Sequence, residues 1–146
     1  MSTTIYTIGF TGKSAREFFE LLRRVGVRKV IDVRLKNVSQ LSGFTKREDL
    51  RYFLDAICTC GYEHRPEWAP TEEILHDFKK KIIGWEQYEE RFQRLMDERM
   101  KSADVSAEGL DRACLLCSEP TAKKCHRRLV AERLQSQLKD AVIFHL

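Results

Sequence analysis

The sequence predicts an α/β protein: one domain over residues 1–146, with a mainly parallel sheet of about four to five strands and helices on both faces, a three-layer, Rossmann-like arrangement. Three observations predict it. Short β-prone runs alternate with helical patterns at the spacing of βαβ units. Several helical patterns open on capping residues that mark their starts. The chain's 146 residues, 42% hydrophobic and 33% charged, suffice to bury a core without disulfides or a metal. No internal repeat, low-complexity tract or second domain is visible.

Ile5 to Ile8 reads as the first strand, closed by Gly9. Ser14 with Glu17 three residues on forms a capping box, followed by a helical face at 15, 18, 19, 22 and 25 and a stop at Gly26. Lys29 to Val33 is the second strand, ending in Asp32-Val33-Arg34, and a loop without helical period leads to Phe44. Thr45 with Glu48 reads as a second capping box, starting a helix with Leu50, Phe53, Leu54 and Ile57 on its apolar face and ending at Gly61. Tyr62 to Arg65 is a short third strand stopped by Pro66. Thr71 caps the next helix, and Gly84 separates it from a segment with Trp85, Tyr88, Phe92, Leu95 and Met96 on one side. Residues 102–111 form a polar loop, the best candidate for a mobile segment. Ala113 to Leu116 reads as a buried strand, Leu129 to Leu138 as a helix, and Val142 to Phe144 as the last strand.

Composition narrows the function classes. No apolar run approaches the roughly 20 residues that span a bilayer, and the start, Met-Ser-Thr-Thr-Ile-Tyr, lacks the regions of a signal peptide, so the expected location is the cytoplasm with no membrane partner. Five cysteines, unevenly placed at 58, 60, 114, 117 and 125, argue for free thiols rather than a disulfide framework. A net charge of +4 permits an acidic partner without demanding nucleic acid.

The chemistry concentrates in residues 112–128, which put two thiols, an imidazole, a carboxylate and four side-chain cations just after the buried Ala113–Leu116 run. A strand-to-helix crossing at the C-terminal ends of parallel strands is where α/β proteins hold ligands. A zinc site is not expected: Cys58 and Cys60 fall at the opposite edge of the sheet, and Cys114 and Cys117, three apart on a strand, point to opposite faces. No cofactor is implied. Cys117 and Cys125 share one rim, and a thiol near a helix N-terminus beside His or Arg has a lowered pKa. The alternative is that both are small buried residues. Lys123, Lys124, Arg127 and Arg128 surround a helix start, where like charge costs about 0.3–1 kcal/mol per group unless an anion compensates. A bound phosphate would do so, as would an internal carboxylate; for the two lysines, plain extension into water is the simpler reading. Asp32 and Arg34 share one face at a neighbouring strand end, either as an ion pair fixing the loop or with Arg34 joining the cations. Gly9 would let backbone approach a ligand closely. His64, Glu67 and Trp68 are peripheral candidates for the crevice wall.

The order of these motifs, Thr7-Ile8-Gly9, Asp32-Val33-Arg34, Tyr62-x-x-x-Pro66-Glu67, and Cys117-Ser118-Glu119 followed by Cys125-His126-Arg127-Arg128, resembles the family named domain of unknown function 488, from Ile5 to about His145. The resemblance implies a compact α/β domain and no established activity. The chain departs from the usual pattern at Phe10-Thr11, where the family commonly has His-Ser, at Trp68-Ala69 in place of Leu-Gly, and at Lys124. A fainter similarity to rhodanese-type sulfurtransferases, through Asp-Val-Arg and a cysteine between strand and helix, would make Cys117 a sulfur carrier; Glu119 in an anion cradle would oppose its thiolate.

The expected function is binding of an anionic ligand, a nucleotide or nucleic-acid phosphate, at the C-terminal rim. Arg34, Arg127 and Arg128 would hold the anion, Gly9 would admit it, and Asp32 and Glu119 would orient the cations or bind a base or ribose. Cys117 or Cys125 would be the nucleophile or redox thiol of any catalysis, with His126 as proton carrier. The competing expectation is a non-catalytic module binding nucleic acid or protein, its thiols structural.

Overall fold

In the computed structural model, which describes residues 2–38, 43–100 and 105–146, five strands form one sheet: β1 (Thr3–Gly9), β2 (Lys29–Asp32), β3 (Gly61–His64), β4 (Ala113–Cys117) and β5 (Ala141–His145). All pairings are parallel, in the order β3-β2-β4-β1-β5. Parallel neighbours need crossovers, and helices supply them: α1 (Ala15–Val25), α2 (Arg47–Cys58), α3 (Glu72–Lys79), α4 (Trp85–Arg99), the single turn α5 (Ala107–Leu110) and α6 (His126–Gln137). None of these helices is long and apolar enough to cross a membrane.

Two apolar layers sandwich the sheet. Phe18, Phe19 and Leu22 of α1 and Leu50 and Leu54 of α2 pack on Ile8, Val30, Cys114 and Leu116. Ile74 of α3, Phe92 and Met96 of α4 and Leu129, Val130 and Leu134 of α6 pack with Ile5, Ile31 and Leu115 on the other face. The strand β4, at the sheet's centre, is buried at all five positions, which is why it reads as an unbroken apolar run. The fold class expected from the sequence is the one observed.

Chain order sets the position of the site. From β1 the chain crosses to β2 and β3 on one side; from β4 it crosses to β5 on the other. The connections diverge between the adjacent strands β1 and β4, leaving a crevice beyond their C-terminal ends.

Local boundaries follow the sequence with three corrections. Ser14 and Glu17 form the expected capping box, Gly26 ends α1 at φ 76°, and the Thr71 side chain caps α3. Thr45, however, lies in a 3-10 turn (Gly43–Thr45), and its carbonyl accepts a 2.7 Å hydrogen bond from Arg34. With that carbonyl committed to a strand-end arginine, α2 starts only after Lys46, without a side-chain cap, and it ends at Thr59 in the left-handed region (φ 49°) rather than at Gly61. Helix α6 starts at His126, earlier than its apolar period indicates, because His126 and Arg127 themselves turn inward. The polar stretch 102–111 contains α5, capped by Ser106. The expectations of a loop across 39–42 and of mobility across 102–104 fall outside the described residues.

Candidate active site

Cys117 ends β4 and sits opposite Gly9, the last residue of β1. Alternation turns it away from the face of Cys114 and Leu116, toward α6. Cys125 is the N-cap of α6 with extended backbone, and its Sγ lies 2.7 Å from that of Cys117. Both are buried, at 1% and 2% exposure. The helical turn that follows brings Arg127, fully buried, back under the same strand end. Its NH1 donates to Cys117 Sγ at 3.0 Å and to the Glu119 carbonyl at 2.7 Å, and lies 4.0 Å from Cys125 Sγ. Its Nε donates to Thr7 Oγ1 at 3.2 Å, and Thr7 Oγ1 lies 2.6 Å from His145 Nδ1.

Gly9 makes this packing possible. A Cβ there would stand 1.5 Å from the Glu119 carbonyl oxygen and 2.7 Å from Arg127 NH1. What approaches Gly9 closely is the chain's own loop and arginine. The β1 and β4 loops are further tied by Thr11 N–H to the Ser118 carbonyl at 3.1 Å, while within the β1 loop Lys13 Nζ donates to the Gly9 carbonyl at 2.9 Å.

The electrostatics divide the two sulfurs. Burial pushes the Cys117 thiol up, but a hydrogen bond from Cys125, the charge and N–H of Arg127 and the Glu119 amide together hold it below the ordinary thiol value. Cys125 moves the other way: its hydrogen bond to Cys117, burial and the Cys117 charge all favour its protonated form. Of the two sulfurs, Cys117 is thus the one favoured as thiolate and Cys125 the one favoured as thiol. Lys13 is pushed down by burial and then by Arg127, and the Tyr88 phenol is pushed up by burial and by the nearby Cys125 and Cys117.

A family model described as "Domain of unknown function DUF488" matches residues 14–134. The chain belongs to this family. It matches no curated protein and no solved structure. The DUF488 match takes in Asp32, Arg34, Cys117, Glu119 and Cys125 to Arg128, but not Thr7, Gly9 or His145.

In this DUF488 chain the other expected site residues fall into three places. Asp32 and Arg34 form a separate buried pair: Arg34 Nε and NH2 each donate to Asp32 at 2.8 Å. Tyr62 donates to Asp32 Oδ2 at 2.6 Å, Asn37 supports Tyr62 at 3.1 Å, and the Arg34 guanidinium lies over Phe10. The arginine expected to hold an anion thus holds a carboxylate of its own chain. Arg128, on the α4 side of α6, lies near Glu89 and Glu132 at 3.8 and 3.9 Å and over Trp85. Glu119 contributes through its backbone, and its side chain is exposed. His126 bridges the groups: its Nε2–H donates to the Val33 carbonyl at 2.7 Å, and burial holds its pKa down to about 4. That makes it a neutral strut with its Nε2 proton committed, not a group set to carry protons to the sulfurs. Of the peripheral candidates, His64 bonds the Arg34 carbonyl and Trp68 is core under Arg65.

Sequence reading missed Thr7, Lys13, Tyr88 and His145 as site residues. Thr7 and His145 face each other across the β1–β5 register, a pairing that appears only once strand order is known. Among the described residues no three Cys, His, Asp or Glu side chains converge as metal ligands. Cys58 and Cys60 stand at the start of β3, far along the sheet from Cys117.

Proposed function

We propose that this protein is a thiol-dependent enzyme, with the Cys117 thiolate as nucleophile toward a small anionic substrate at the rim between β1 and β4. The observation that carries this reading is the buried Arg127 guanidinium 3.0 Å from Cys117 Sγ. A cation at a helix N-terminus needs a compensating anion, and a thiolate is an anion of that kind, and a stronger nucleophile than the thiol. The sequence suggested an external nucleotide or nucleic-acid phosphate for this role. With Arg34 and Arg127 engaged inside the chain, recognition of such an anion falls to Lys13 and the exposed Lys123 and Lys124 at the same rim. Free thiols suit a reducing, cytoplasmic setting.

The test is a titration of thiolate ultraviolet absorbance, with alkylation rates followed in parallel. Wild type should show one thiol ionising below the ordinary range, absent in Cys117→Ser and shifted upward in Arg127→Gln. A wild-type curve with no thiol ionising below the ordinary range would remove the basis for a Cys117 nucleophile. Binding of inorganic phosphate that weakens steeply with salt, and weakens further in Lys13→Ala, would support the anionic character of the substrate.

A further inference from the structure

We propose that Cys117 and Cys125 form a dithiol–disulfide couple that reduces a low-molecular-weight disulfide, Cys117 attacking and Cys125 resolving. The inference rests on Cys117 being the nucleophile and adds a substrate class and a second reacting residue. Its first support is proximity: 2.7 Å separates the sulfurs, against a bond length of about 2.05 Å in a disulfide. The two sulfurs therefore already face each other across the turn between β4 and α6. Its second support is the division of labour, since one sulfur faces Arg127 NH1 at 3.0 Å and the other lies a full ångström farther away, at 4.0 Å.

The chemistry balances. The Cys117 thiolate attacks one sulfur of the substrate disulfide; a Cys117–substrate sulfur bond forms, the substrate S–S bond breaks, and the first substrate thiolate leaves with the electron pair and takes a proton from water. Cys117 is now uncharged, so two of the three influences that kept Cys125 protonated, the hydrogen bond to the thiolate and the thiolate's charge, disappear, and only burial remains. Cys125 then gives its proton to the hydroxide left when water protonated the first leaving thiolate, and attacks Cys117 Sγ. The Cys117–Cys125 bond forms, and the second substrate thiolate departs and is protonated. Two protein thiols are oxidised by two electrons and one disulfide is reduced to two thiols.

Reduced full-length protein is mixed with excess oxidised glutathione, an anionic disulfide, quenched by alkylation and mapped without reduction. Wild type should yield the Cys117–Cys125 linked peptide with no lasting glutathione on Cys117, whereas Cys125→Ala should retain glutathione at Cys117. Cys114, packed in the core on the opposite face of β4 with its thiol pushed well up by burial, serves as the unreactive internal control. A wild-type chain that keeps glutathione on Cys117, or links Cys117 to another cysteine, overturns the couple while leaving the nucleophile intact. A wild-type Cys117 that takes up no glutathione and forms no link overturns both. The wild-type map decides the matter even if the Cys125 variant does not fold.

Discussion

At Gly9 the absence of a single carbon keeps the site closed. The oxygen that would meet a Cβ at 1.5 Å is backbone, and it is the same Glu119 carbonyl that accepts from Arg127. It has no rotamer by which to step aside, and moving it draws Arg127 away from Cys117. Gly9→Ala should therefore cost stability at the upper end of overpacking, about 3 kcal/mol, and raise the Cys117 thiol toward its ordinary range. Urea unfolding with thiolate absorbance on the same samples checks both effects; an unchanged Cys117 titration would mean that the contact does not hold Arg127 in place. The sequence marks Gly9 as a point of close approach, because glycine after a strand permits one. It does not say what approaches, since Glu119 and Arg127 arrive from the far end of the chain.

At the level of elements, the end of β2 is held by a buried ion pair whose bonds reach its neighbours. Asp32 is fully buried and accepts from Arg34 and Tyr62, while Arg34 reaches the Thr45 carbonyl before α2, and His64 of β3 bonds the Arg34 carbonyl. Removing one partner leaves a buried charge without its counterpart, a change that costs about 3–5 kcal/mol. Arg34→Met should show a loss of that size in urea unfolding, and adding Asp32→Asn should recover a large part of it. A double variant as unstable as the sum of the two single variants would argue against a mutual pair. Strand alternation alone placed Asp32 and Arg34 on one face, and the caps at Ser14 and Thr71 were legible because each acts within its own turn. The Thr45 start was misread for the opposite reason: the Arg34 bond that commits its carbonyl connects segments that local sequence does not join.

Across the whole molecule, the α/β class followed from alternating patterns, but the site depended on strand order, which patterns do not encode. Only the β3-β2-β4-β1-β5 arrangement puts the β1 and β4 loops at one crevice and brings His145 beside Thr7. His126 ties the end of β2 to α4, with its Nε2 on the Val33 carbonyl and its ring 5.7 Å from that of Phe92. Burial lowers its pKa from 6.5 to about 4, so in that interval the unfolded chain binds a proton that the folded chain refuses. The unfolded state then holds more protons, stability rises with pH, and acidification removes it. At about 1.4 kcal/mol per pKa unit, the loss approaches roughly 3 kcal/mol once both states are protonated. His145, also pushed down by burial, acts in the same direction. Urea unfolding free energies taken stepwise from above pH 6.5 down to about pH 5, before carboxylates titrate strongly, should fall in wild type. The fall should be much shallower in His126→Asn, whose amide can still donate to Val33 but does not titrate; an equal slope in the two proteins would show that other groups set the acid response of this fold.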